Sequence, residues 1–396
     1  MRQNLKILFS LLVFTGFLGS ATAQNYVTIP DLNFLSALQE ILPVEVFNEV
    51  GEMNADHEAV LNLLQLNVSA RRIQSLEGIQ YFSALQELDC ESNQLIELPE
   101  LPEDLVILYC GTNRLTILND LPPFLEKLYC YSNQLIELPT LPQSLTVLYC
   151  SENKLANLSI LPQALEDLDC SHNQLSELPE LPRSLQKLVC LNNKLTKLPE
   201  LPNSLLRLLC QNNYLTALPL LSPSLDLLQC NNNQISELPS LPQSLTRLIC
   251  YNNQLIELPS LPPLLIQLFC RNNYLTQLPV LPDLLWQVSV EENCFSIMPE
   301  RPEWVSASNF AVSPNREDCL VTGLTSESVN LAPGIYPNPV EEVLYLGAVY
   351  EDVRVYDLGG REMGSYSSTD HIRTDDWLSG VYLIRVGEQY VRVVKR

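Results

Sequence analysis

The chain has 396 residues, and 46 Asp and Glu against 23 Lys and Arg give it a formal charge of −23. That balance excludes a protein that grips nucleic acid through a broad basic face. Hydrophobic residues make up 46% and charged residues 17%, as in folded proteins, but 28 prolines against 13 glycines point to something repetitive rather than a compact enzyme.

Residues 1–23 read as a secretory signal. Arg2 and Lys6 form the positive end, an apolar stretch runs from Ile7 to Leu18, and Ala21-Thr22-Ala23 supplies the small-residue cleavage pattern. Cleavage between Ala23 and Gln24 removes two positive charges and no negative ones, so the mature charge is −25. A membrane anchor is disfavoured because the stretch is shorter than the ~20 residues a spanning helix needs, and no transmembrane segment is expected later.

Residues 24–74 carry helical spacing in Leu32, Leu35, Leu38 and again in Val60, Leu61, Leu64, with Asp31 as an N-cap. The stretch Asn48-Glu49-Val50-Gly51-Glu52-Met53-Asn54 is too poor in aligned carboxylates for an EF-hand, so no calcium is expected there.

Next comes a twenty-residue ruler. Cysteines stand at 90, 110, 130, 150, 170, 190, 210, 230, 250 and 270; asparagines repeat from 93 to 293 and leucines from 105 to 285 at the same interval. Tyr131 to Cys150 reads YSNQLIELPTLPQSLTVLYC, and eleven such units run from Glu91 to Phe310 after a looser one at Ser75 to Cys90. Leu108 and Cys110 alternate with Ile107, Tyr109 and Gly111, so each unit offers a short strand with an inner and an outer face. One unit cannot bury its own apolar side, and neighbours must stack to share a core. Prolines such as Pro139 and Pro142 fix φ and remove donors, which excludes a helix on the back of the stack. The asparagines are expected to satisfy buried backbone groups. Ten aligned thiols invite a metal or redox reading, but a single column brings neighbours on two sides only, so core packing is expected.

The pattern LxxLxCxxNxLxxLPxLPxS resembles the short, two-proline bacterial type of leucine-rich repeat. That resemblance implies a solenoid: a parallel β ladder with an extended, Pro-rich convex side. Ile29 to Phe34 resembles the IPD-x-NF start of the helical amino-terminal cap of exported bacterial leucine-rich proteins. The repeats decay towards residue 310, where Cys294 and Cys319 lie off the ladder and are expected to close a cap disulfide, which an exported protein can keep.

After a C-cap and linker at 311–335 the ruler is gone. Val343, Tyr345, Val353 and Val355 alternate, Leu358-Gly359-Gly360-Arg361 reads as a hairpin turn, and Val381 to Val386 and Val391 to Val394 are strand-like, suggesting a small β-sandwich. YPNP at Tyr336, Pro337, Asn338 and Pro339, VYDLGGRE with Asp357, Gly360 and Arg361, LSGVYLIRV with Gly380 and Tyr382, and the terminal RVVKR closely resemble the sorting domain of the bacterial type IX (Por) secretion system. The resemblance implies contact with secretion machinery, export across the outer membrane, and commonly removal of the tail with attachment at the cell surface. The chain divides into a signal (1–23), helical cap (24–74), solenoid (75–310), C-cap and linker (311–335) and sorting domain (336–396).

The exposed strand columns vary. One carries Tyr109, Tyr129, Tyr149 and Phe269, its neighbour Tyr131 and Tyr251, and a third Lys187, Arg207 and Arg247 with Arg271 nearby. Large amphipathic rings favour interfaces, and the cations make a strip on an acidic protein, so these residues are the candidate ligand surface. An extracellular protein or a glycan is the expected ligand, by recognition or adhesion; a structural surface-layer role is a further alternative. The histidines are His57, His172 and His371, one each in cap, repeats and tail, and no phosphate loop, HExxH or nucleophile constellation is present. No enzyme activity, metal or cofactor is expected.

Overall fold

The Leu-x-Cys alternation builds the architecture. The computed structural model describes residues 25–295, 298–312, 316, 343–357, 361–378, 380–386 and 389–395. The cap opens with β1 (Tyr26–Val27), α1 (Leu32–Ile41), β2 (Met53–Asn54), antiparallel to β1, and α2 (Glu58–Leu61). The ladder follows with β3 (Gln65–Asn67), β4 (Glu87–Asp89), β5 (Ile107–Tyr109), β6 (Lys127–Tyr129), β7 (Val147–Tyr149), β8 (Asp167–Asp169), β9 (Lys187–Val189), β10 (Arg207–Leu209), β11 (Leu227–Gln229), β12 (Arg247–Ile249), β13 (Gln267–Phe269), β14 (Gln287–Ser289) and β15 (Phe310–Ala311).

These thirteen strands form one parallel sheet in chain order, with equivalent residues opposite one another, as Leu108 opposite Leu128 and Tyr109 opposite Tyr129. From β4 to β13 the central leucine and the cysteine after the strand are buried, with Val288 and Val290 in their places at β14, joined by leucines such as Leu135, Leu138 and Leu145 in one continuous core. Between β4 and β14 the back of each repeat is extended chain and turns, without a helix. Its second proline opens a turn: the Pro142 carbonyl accepts from Leu145 N at 3.1 Å.

Each ladder asparagine joins two repeats. Asn133 Nδ2 donates to the carbonyls of Cys110, Cys130 and Tyr131 at 3.0–3.2 Å, and its Oδ1 accepts from Leu115 N at 3.0 Å. A side-chain amide suits this exchange because it carries an NH2 with two donors and a separate acceptor oxygen.

The cap differs from its sequence pattern. Asp31 does cap α1, accepting from Asn33 N and Phe34 N, and its other oxygen accepts from Gln74 N and Ser75 N, which ties helix to ladder. However, α1 buries Phe34, Ala37 and Leu38 while Leu32 is exposed; α2 is a single turn, with Leu61 and Leu64 exposed. The Leu64 carbonyl accepts from Gln86 N and Glu87 N, so ladder pairing competes there with helix and wins. In the expected calcium-free loop, Asn48 Oδ1 accepts from Val50 N and Glu52 N and closes the turn itself.

The carboxyl-terminal module comprises β16 (Val343–Tyr350), β17 (Val353–Asp357), β18 (Glu362–Tyr366), β19 (Thr369–Arg373), β20 (Gly380–Val386) and β21 (Gln389–Lys395). One sheet pairs β16 with β19; the other has the antiparallel order β18-β17-β20-β21. Leu344 and Ile372 of the first share a core with Val355, Ile384 and Val393 of the second. Among the described residues no helix is long and apolar enough to cross a membrane.

Candidate recognition surface

Three-residue strands with a buried centre leave two outward side chains per rung, and the parallel register lines these up into columns. The tyrosine column forms a contiguous set. Tyr109 and Tyr129 stack with ring centroids 4.7 Å apart and planes 10° apart, and Tyr149 meets Tyr129 edge-on at 5.2 Å. Both arrangements suit the ring quadrupole.

The third ring leads into charge. Tyr149 Oη donates to Asp167 Oδ2 at 2.8 Å, Lys187 Nζ donates to Tyr149 Oη at 2.9 Å, and the ammonium lies 4.9 Å from the ring centroid and 3.2 Å from Asp167 Oδ1. Partial burial would lower the Lys187 pKa, but Tyr149 and Asp167 outweigh it and hold the lysine above its ordinary range. The aromatic column and Lys187, the first cation of the strip, are therefore one network, joined by Asp167, which column-by-column reading overlooked. The signal was present: Asp167 stands one rung before Lys187 in the same column.

Tyr131 is locally anchored. A Cβ on Gly111 would lie 2.9 Å from Tyr131 Cζ, so the bare glycine makes room for the ring. Burial and a hydrogen bond to Glu91 push the Tyr131 phenol up to about 12. Burial, followed by Glu87, Asp89 and Glu91, also raises Tyr109. Two of these carboxylates meet neutral partners on the neighbouring rung: Gln65 donates to Glu87 and Asn67 to Asp89.

The remaining candidates lie further along the ladder. Arg207 is exposed on β10, Arg247 Nη2 is 4.0 Å from Asp226 Oδ2, Phe269 sits half-buried on β13, and Arg271 lies 5.0 Å from the Tyr251 ring centroid. The ladder cysteines are buried and their thiols shifted up; burial sets Cys130 at about 12. Cys294 is disulfide-bonded, while Cys319 lies outside the described residues. In the tail, Asp357 and Arg361 exchange backbone and side-chain contacts across the β17–β18 hairpin, and Tyr382 Oη donates to the Leu378 carbonyl at 2.8 Å beside Trp377. Gly380 pairs with Lys395. Ala23, Gln24, Tyr336, Pro337, Asn338, Pro339 and Gly360 lie outside the described residues.

Residues 334–396 match the family described as the secretion system C-terminal sorting domain. Among solved structures, YopM from Yersinia enterocolitica is similar at 40% identity over 64% of this chain, with a TM-score of 0.57; the chain covers 60% of YopM's length. An internalin (InlF) from Listeria monocytogenes shares the fold, with 19% identity over 72% of this chain and 95% of its own, TM-score 0.51. No curated protein matches the chain.

Proposed function

Because this chain is a leucine-rich-repeat protein with a carboxyl-terminal secretion sorting domain, we propose that it works outside the cell as a non-enzymatic recognition protein. The tail implies dealings with secretion machinery, and anchoring at the outer cell surface after tail removal is the reading that follows. The ligand surface is the open, concave sheet face. The observation that carries this is the run from Tyr109 to Lys187: three touching rings and an ion pair held in place by the fold before any partner arrives. Pre-positioned aromatic rings beside charge are the residue types that dominate protein interfaces.

The absence of enzyme chemistry is part of this reading. His57 Nδ1 accepts from Ala59 N at the start of α2, and His172 contacts Asn192 at 3.0 Å, so both rings are engaged in local structure. Burial raises the ladder thiols and disfavours the thiolate that a cysteine nucleophile needs.

The test is capture of extracellular partners on immobilised protein, with Tyr109→Ala/Tyr129→Ala/Tyr149→Ala alongside. Loss of at least about 10-fold in affinity with the fold retained by circular dichroism supports the reading. Undiminished capture contradicts it. Saturable binding on a glycan array would move the assignment to glycan capture, and self-association to a structural surface layer.

A further inference from the structure

A second surface departs from the repeat logic on the flank just before the strands. Ser144, Ser184, Ser204 and Ser244 each send Oγ to two carbonyls of the preceding repeat, as Ser184 does to Gln163 at 2.8 Å and Leu165 at 2.6 Å. The last three members of that column are Leu264, Leu284 and Trp304, which are 48%, 55% and 51% exposed. Beside them Trp286 is 48% exposed, and its backbone N donates to the Ile266 carbonyl, which places the two residues on adjacent rungs. The patch continues into a shallow groove of about 810 Å³ lined by Pro263, Val280, Pro282 and Leu284. Folding does not call for these substitutions, since serine serves the same site elsewhere in the stack.

The rim of the patch is net acidic, with three carboxylates against one guanidinium. Asp283, Glu300 and Glu303 are exposed, whereas Arg301 turns its guanidinium back to the Val305 carbonyl. We propose that this flank is a docking surface, separate from the tyrosine face, for an amphipathic basic segment of another protein. Apolar side chains would cover Leu284, Trp286 and Trp304, while lysines or arginines meet the three carboxylates. Exposed apolar patches rimmed by polar groups mark such sites, and tryptophans dominate them energetically. A second copy is a poorer occupant, because an isologous contact would set the same carboxylates of a −23 chain against each other. Anionic lipid meets the same repulsion.

The test uses the full chain with Trp377→Phe, so that emission reports Trp286 and Trp304 alone. The probe is a short Lys/Leu amphipathic helical peptide, compared with a Glu/Leu analogue and a Lys/Leu peptide of shuffled order. The free protein should emit at long wavelength and be readily quenched by acrylamide. Saturable blue shift and protection by the amphipathic basic peptide are expected, with at least about 10-fold weaker binding by either comparison peptide. Leu264→Ser/Leu284→Ser installs the serine that five other repeats carry at this position, so it should fold, and it should lose the binding by a similar factor. The proposal is overturned if the free tryptophans are already protected, if the Glu/Leu or shuffled peptide binds equally well, or if Leu264→Ser/Leu284→Ser binds unchanged. It is likewise overturned if the protein is a dimer that this variant dissociates, or if neutral lipid vesicles give the blue shift and the peptide does not.

Discussion

Asn193 illustrates how single residues hold this molecule together. Its amide donates to the carbonyls of Cys170 and Cys190, and its oxygen accepts from Leu175 N. Asn193→Ala strands the buried Leu175 N, while the Cys170 and Cys190 carbonyls each keep a second donor in Asn173 and Asn213, and a loss of about 2 kcal/mol is expected in urea unfolding. The residue before each ladder asparagine has positive φ, between 51° and 58° from Ser92 to Glu292, and none of these is glycine. Thr112 is the β-branched member at 53°. Thr112→Asn should therefore stabilise by roughly 1 kcal/mol, read as a higher Tm. From Asn212 to Asn272 this second column forms its own amide chain, with each Nδ2 donating to the Oδ1 of the preceding asparagine at 2.5–2.9 Å; Arg316 donates to Asn272 at its end.

Asp31 sets a pH dependence. Burial would push its carboxyl up, but backbone donors at Phe34, Gln74, Ser75 and Asn33 outweigh that and hold it below the usual range. A depressed folded pKa stabilises above the unfolded value near 4 and loses that contribution as pH falls through the folded value. Asp31→Ala should cost about 1–2 kcal/mol at pH 7. Its deficit against the parent should shrink as the pH is lowered below about 4, in paired thermal melts.

At the scale of elements, the strands were legible wherever period two met a buried leucine. Leu128 and Cys130 face the core while Lys127 and Tyr129 face out, as their alternation requires. Strand β3 was harder to see. Its Leu66 pairs with Leu88, 22 residues on rather than 20, and Gln65 and Asn67 add no apolar signal. In the tail, β18 and β19 are polar stretches, EMGSY and TDHIR, whose pairing comes from β17 and β16 rather than from a hydrophobic pattern of their own. The face itself was readable as columns. The contacts between columns were not, because Tyr149, Asp167 and Lys187 meet across 18 to 38 residues. Asp167→Asn should weaken the Lys187 anchor while leaving the rings stacked, so near-ultraviolet circular dichroism should change little and the Lys187 pKa should fall, as read by NMR titration.

For the whole molecule, the ten ladder thiols mark the integrity of the solenoid. Burial raises every one of them, so the native protein should leave these ten untouched by a thiol reagent at pH 8 and release all ten on unfolding. Neighbour-only stacking means that damage at one rung opens its neighbours first, and partial reactivity would report such local opening. The stacked core also explains how so long a sheet face can stay open: its apolar burial is completed on the other side, which frees the outer columns to vary.

The proposed function requires this open face to meet an extracellular protein through its tyrosine column. The most direct measurement places a photo-crosslinking amino acid at Tyr129, and in a control at the exposed Glu177 on the back of the repeats, in protein displayed by its producer cells. A discrete crosslinked extracellular protein is expected from position 129, lost on Tyr109→Ala/Tyr149→Ala, and none from position 177. Crosslinks from position 177 alone, or a protein that stays inside the cell with its tail attached, would contradict the proposed function.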